Sequence, residues 1–157
     1  MARIHRLGVI ATVCLSVFAI GCMGRTMQPE ERERNVHVEH QLTRQQAYDK
    51  SEIWSVETRS IDKAVINVRQ PDNGLILGKG IFNLWGDEVS ITQPYTPVRV
   101  TFKFTHKDKG TDILLTFEEA HERWAARFSE KAQDIAQSLA KTLDGKVVDP
   151  PVKAPPQ

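Results

Sequence analysis

Residues 98–105 read Val-Arg-Val-Thr-Phe-Lys-Phe-Thr, and this strict alternation commits the chain to a sheet with one dry face and one wet one. Successive strand side chains point to opposite faces, so Val98, Val100, Phe102 and Phe104 enter a core while Arg99, Thr101, Lys103 and Thr105 meet solvent. Residues 107–110 (KDKG) form a tight polar turn, and residues 111–117 (TDILLTF) return as the antiparallel partner. From residue 118 to 143 the apolar period changes from two to helical. Trp124, Phe128, Ala132, Ile135, Leu139 and Leu143 share one stripe, with Arg123, Glu130, Lys131, Asp134 and Lys141 away from it. At 1.5 Å per residue such a helix is roughly 35 Å long, enough to cross a sheet and cover its apolar face. Gly145 supplies the stop.

The earlier part of the chain adds the rest of the layer. Residues 35–41 alternate, with Val36, Val38 and His40 opposite His37 and Glu39, which is strand period. Thr43 stands three residues before Gln46, the spacing of a capping box. Ala47, Ser51, Trp54 and Thr58 then recur at helical spacing over about four turns, flanked by Tyr48 and Ile53. Residues 64–69 (AVINVR) are β-branched and alternating, residues 70–74 (QPDNG) are turn chemistry, and residues 75–84 (LILGKGIFNL) complete a hairpin. Gly78 and Gly80 within it predict a bulge or bend. The order is β-α-β-β-β-β-α. It predicts an α+β domain with an antiparallel sheet of about five strands, covered on one face by the first helix and the long C-terminal one.

Residues 15–22 (LSVFAIGC) close an apolar run on a cysteine, behind the positively charged Arg3, His5 and Arg6. The apolar stretch 7–20 is short for a bilayer span and right for a secretory signal. Ala19, Ile20, Gly21 and Cys22 resemble the lipobox of bacterial lipoproteins. The resemblance implies that 1–21 is a removable signal peptide, that Cys22 is acylated, and that the domain is held at the cell envelope through its N-terminal lipid. Met23 after the cysteine implies the outer membrane, facing the periplasm. Residues 22–34 then read as the lipidated cysteine and a polar tether, 35–146 as the domain, and 147–157, rich in proline, as a solvated tail. Of the two cysteines, Cys14 leaves with the signal and Cys22 carries lipid, so the domain has no disulfide and no Cys nucleophile or metal ligand. The 21 basic and 20 acidic residues nearly balance and read as evenly spread, which points away from a nucleic-acid partner.

Motifs that imitate chemistry are better explained by structure. Gly74, Gly78, Lys79 and Gly80 are one residue short of a phosphate-binding loop, Gly80 replaces the magnesium-binding hydroxyl, and Leu75, Ile76 and Leu77 between them are strand residues. Glu118 and His121, with Glu119 and Glu122, have the spacing of a carboxylate-bridged metal site but lack the second copy that such sites need. The acids read instead as complements to a helix N-terminus. His37 with Glu39, and His40 opposite, read as surface residues, and no nucleophile and base converge.

Residues 42–82 also resemble the start of the DUF4468 family, whose fold is described as TATA-binding-protein-like (TBP-like). The resemblance lies in a helix with Tyr48 and Trp54 followed by Gly74, Ile76, Gly78, Lys79 and Gly80 in a glycine-rich strand, with a later strand pair around 98–117. It implies fold and export, and brings no activity, cofactor or catalytic residue. The favoured reading is a non-enzymatic, lipid-anchored module that contacts an envelope protein, with the loop aromatics Trp85 and Tyr95 as candidate contacts. The alternative is a carrier of a small apolar ligand held between sheet and long helix, lined by Phe102, Phe104, Leu115, Trp124 and Phe128.

Overall fold

A computed structural model describes residues 25–58, 61–85, 95–118 and 121–148. The signal segment, Cys22 and the prolines of the C-terminal tail lie outside the described residues. Six strands and two helices form the domain: β1 (Glu33–Glu39), α1 (Arg44–Glu57), β2 (Asp62–Gln70), β3 (Leu75–Asn83), β4 (Pro97–Lys107), β5 (Gly110–Phe117), α2 (Ala125–Thr142) and β6 (Lys146–Val148). All pairings are antiparallel, in the order β2-β3-β4-β5-β1-β6. The chain leaves β1 near one edge, crosses the sheet through α1, and meanders back from β2 until β5 pairs with β1. After α2 it closes as β6 on the outer side of β1.

Each local signal has a physical agent. Thr43 caps α1 through its side chain, which accepts from the Gln46 N–H, while the Gln46 side chain accepts from the Thr43 N–H. Gly74 ends the β2–β3 turn at φ +64°, and a Cβ there would lie 2.5 Å from the His106 carbonyl oxygen, so only glycine fits. Gly78 serves packing and not a bend in its own strand. A Cβ on it would stand 2.3 Å from Phe102 Cζ, and the register shifts of the hairpin fall in β2 between Asp62 and Val65 and between Ile66 and Val68. Those bulges blunt an edge strand.

The core lies between the sheet and the helices. Val98, Val100, Phe102, Phe104 and His106 of β4 are all buried, as are Ile113, Leu115 and Phe117 of β5 and Phe128, Ile135, Leu139 and Leu143 of α2 and its cap. Trp54 Nε1 donates to Ser138 Oγ at 3.1 Å and ties the helices together. Ile53, expected on the apolar stripe of α1, is 58% exposed, because Ala47, Tyr48, Ser51 and Trp54 already occupy the narrow buried face.

Four boundaries differ from expectation. Residues 25–34, expected to lie within a tether, are folded onto the domain: Met27 is buried, Pro29–Arg32 form a 3-10 turn, and Glu33 and Arg34 open β1. The long helix starts at Ala125 instead of residue 118, because His121 is used in a bridge to Thr26 and Glu122–Trp124 form a 3-10 turn. Val147 and Val148, placed in the tail by their sequence, pair in β6 with Val38 and His37. The helix stop also shifts by one residue. Asp144 takes φ +50°, its N–H reaching Lys141 O and that of Gly145 reaching Ala140 O in a Schellman pattern. Gly145 is small because a Cβ would meet the Glu39 carbonyl oxygen at 2.4 Å.

Candidate interaction surfaces

Both helices cover the same side of the sheet, and no element among the described residues covers the opposite face. The wet side of β4 places Arg99, Lys103 and Lys107 on it, and Lys63 and Lys79 join them from β2 and β3; all five are exposed. Lys103 stands between Leu77 and Leu114 in register, and Arg99 is opposite Ile81. Val65, also on this face, is 59% exposed. An open groove of about 320 Å³ runs between Lys63, Val65, Lys79, Ile81, Arg99 and Glu118. Two cations are already paired, Lys79 with Glu118 at 3.3 Å and Lys107 with Asp112 at 2.6 Å. Cations that lie apart in the sequence are therefore brought together on one face, because the period of two sends alternate residues of β2, β3 and β4 to the same side; β1 adds Glu33 and Glu39 to that face.

Asp112 on this face also meets His37 Nδ1 at 2.6 Å. Partial burial pushes the Asp112 carboxyl up, but the hydrogen bonds and charges of Lys107 and His37 outweigh it and hold the pKa below the ordinary value.

A second surface lies at the end of the molecule where α2 begins. Trp124 is half-buried in the 3-10 turn, with the His121 ring edge-on at 5.9 Å and the Arg123 guanidinium 4.9 Å from its ring centre. Trp85, also half-buried, has the Arg127 guanidinium 5.1 Å from its ring. Tyr95 is 51% exposed and adjoins this end, since Thr96 O accepts the Leu84 N–H at 3.0 Å. The sequence stripe placed Trp124 in the core. It packs against the core only in part, because the chain is still in the 3-10 turn there.

A third cluster is sealed. Thr111 Oγ1 lies 2.9 Å from His40 Nε2 and 2.9 Å from His106 Nδ1, and all three residues are buried. A hydroxyl has one proton, so Thr111 donates to at most one imidazole and accepts from at least one. His106 Nε2 has no hydrogen-bond partner among the described residues, and its ring faces Tyr48 edge-on at 6.0 Å. Burial, reinforced by the neighbouring His40, pushes the His106 pKa down to about 4. Burial also lowers that of His40, against an opposing backbone contact at Leu42. His40 was expected at the surface, and it is 3% exposed. Its phase with Val36 and Val38 already pointed inward, as His106 continues Phe102 and Phe104, but a strand end was read as a surface position.

No family model matches the sequence, and no curated protein sequence matches it. Solved structures do resemble it. A DUF4468 family protein from Bacteroides ovatus ATCC 8483 superposes with a TM-score of 0.54 at 16% identity, covering 85% of this chain and 95% of that one. A TBP-like protein from Parabacteroides distasonis ATCC 8503 gives a TM-score of 0.51 at 9% identity, covering 73% and 94%. The fold is TBP-like.

Within this TBP-like domain the residues assigned to a ligand pocket do not line an open space together. Phe102, Phe104, Leu115 and Phe128 are 0% exposed. Phe102 stacks on Phe104 at 5.1 Å, Phe117 stacks on Phe128 at 4.4 Å, and Trp124 packs half-buried at the margin of the core. The side chains fill the helix–sheet interface with one another. A wider depression of about 670 Å³ opens instead at the start of α1, among Thr43, Arg44, Asn73, Lys107 and Asp108, where the Arg44 N–H is already bound to Asp108 Oδ1 at 2.9 Å. Cys22 lies outside the described residues.

Proposed function

We propose that this chain is a lipid-anchored, non-enzymatic module of the bacterial envelope, which faces the periplasm and binds an envelope protein through the sheet face opposite its helices. The observation that carries the reading is the cationic and partly aliphatic face, covered by no described element, that is built on Arg99, Lys103, Leu77, Ile81 and Leu114. A groove that is shallow and open suits a broad partner surface better than a small ligand. The partner that fits is acidic, with apolar side chains to cover the aliphatic floor. Tyr95 and Trp85, the loop aromatics first considered for this role, belong to the other surface.

A photo-crosslinking residue placed at Thr101, at the centre of the face, tests the proposal in intact cells. A discrete protein adduct is expected at Thr101 and not at exposed Gln133 on α2, and Arg99→Glu with Lys103→Glu should abolish it. No adduct at Thr101, or the same adducts at Gln133, would overturn the assignment.

A further inference from the structure

The N-terminal segment is pinned to the end of the molecule where α2 begins. Thr26 bridges His121, and the Glu122 N–H donates to Arg25 O at 3.2 Å. Arg32 Nη1 donates to Glu118 O at 3.1 Å, and Arg34 reaches Ser129 Oγ at 3.0 Å. The chain therefore arrives at residue 25 beside Trp124, and Cys22 stands only three residues earlier. At most about 11 Å of extended chain separates the two positions, comparable with the thickness of a lipid headgroup layer. If Cys22 carries acyl chains, the domain has no long tether. The end bearing Trp124 is then held against the bilayer surface.

That end has the chemistry of a membrane interface. Trp85 and Trp124 are half-buried indoles with one side still open, the form of residue that settles at headgroup depth. Arg123 and Arg127 lie over their rings and are exposed. Arg127 also pairs with Glu130 at 2.7 Å, and Arg25 with Glu31 at 3.2 Å, while Arg123 has no ion pair among the described residues. Guanidinium groups take phosphate oxygens in bidentate pairs.

We infer that Trp85, Trp124, Arg123 and Arg127 form a seat for anionic phospholipid headgroups, which acts with the acyl chains to fix the domain's orientation on the membrane. The inference rests on the lipidation of Cys22 proposed above. It makes this end a second anchoring signal beside the first.

The full-length chain, purified from a bacterial host and checked by intact mass for its acyl groups, is reconstituted into vesicles of phosphatidylcholine alone or mixed with phosphatidylglycerol. The lipids carry bromine on the upper acyl carbons. Trp54, buried against Phe104 at 5.8 Å, is the internal reference. Brominated lipid should quench the emission of the acylated protein about twofold. The Trp85→Phe, Trp124→Phe double variant should lose that quenching. Arg123→Glu with Arg127→Glu should reduce it in the anionic vesicles alone. An acylated protein whose emission bromine leaves unchanged overturns the seat and spares the anchor; equal quenching by the charge-reversed variant overturns the role of anionic headgroups. Absence of acyl mass overturns the anchor and the seat with it.

Discussion

His106 shows how a single residue's environment sets a property of the whole fold. Its imidazole is sealed among Tyr48, Phe104 and Thr111, and its pKa falls from the ordinary 6.5 to about 4. Above pH 6.5 the group is neutral in both folded and unfolded chains, and its burial carries no pH-dependent penalty. Between 6.5 and 4 the unfolded chain takes up a proton that the folded one refuses, so stability falls as the pH falls, by about 3 kcal/mol from this residue alone. Urea unfolding at pH 7 and pH 4.5 should show a lower midpoint at the acid pH. His106→Leu should flatten that dependence, and an unchanged slope would mean that the imidazole is not sealed in solution. The residue's inward direction was legible from the phase of β4. Its partnership with His40 was not, because the two are joined through Thr111 on a third strand.

At the scale of elements, the strands and α1 were legible because their signals are local. Period two, a capping box and a Pro-Asp-Asn-Gly turn each operate within a few residues. The ends of α2 were read less well, and both errors have a tertiary cause. At its start, residues 121–124 follow the helical stripe, yet their backbone is used by Thr26 and Arg25 from a segment distant in sequence. At its end, Gly145 suggested the left-handed position, but β6 must pass close to Glu39, so the glycine is needed one residue later and Asp144 takes the positive φ. Asp144 forms only an exposed pair with Lys50 at 2.9 Å. Asp144→Gly is therefore expected to stabilise the protein by about 0.5–1 kcal/mol through relief of left-handed strain, seen as a small rise in Tm; a fall would show that the Lys50 contact outweighs it.

For the whole molecule, the deciding feature is closure of the sheet around β1. β5 and β6 flank it, α2 crosses above it, and the segment before it folds back on the start of α2. Met27 makes that segment part of the core, so Met27→Ala should cost about 2–4 kcal/mol in chemical denaturation. A loss within experimental error would return residues 25–32 to the role of a tether. No described element covers the other face of the sheet, where neighbouring β2, β3 and β4 bring together cations that are far apart in sequence. The sequence alone determined the alternating strands, the capped first helix, the amphipathic stripe of the second and the α+β order, since each follows from side-chain period and backbone chemistry within a short window. Only the tertiary structure decided the sixth strand, the burial of Met27, the His40–Thr111–His106 cluster and the half-buried place of Trp124 at the core's margin. Each of these depends on hydrogen bonds and packing between segments distant in the chain, which no local period records.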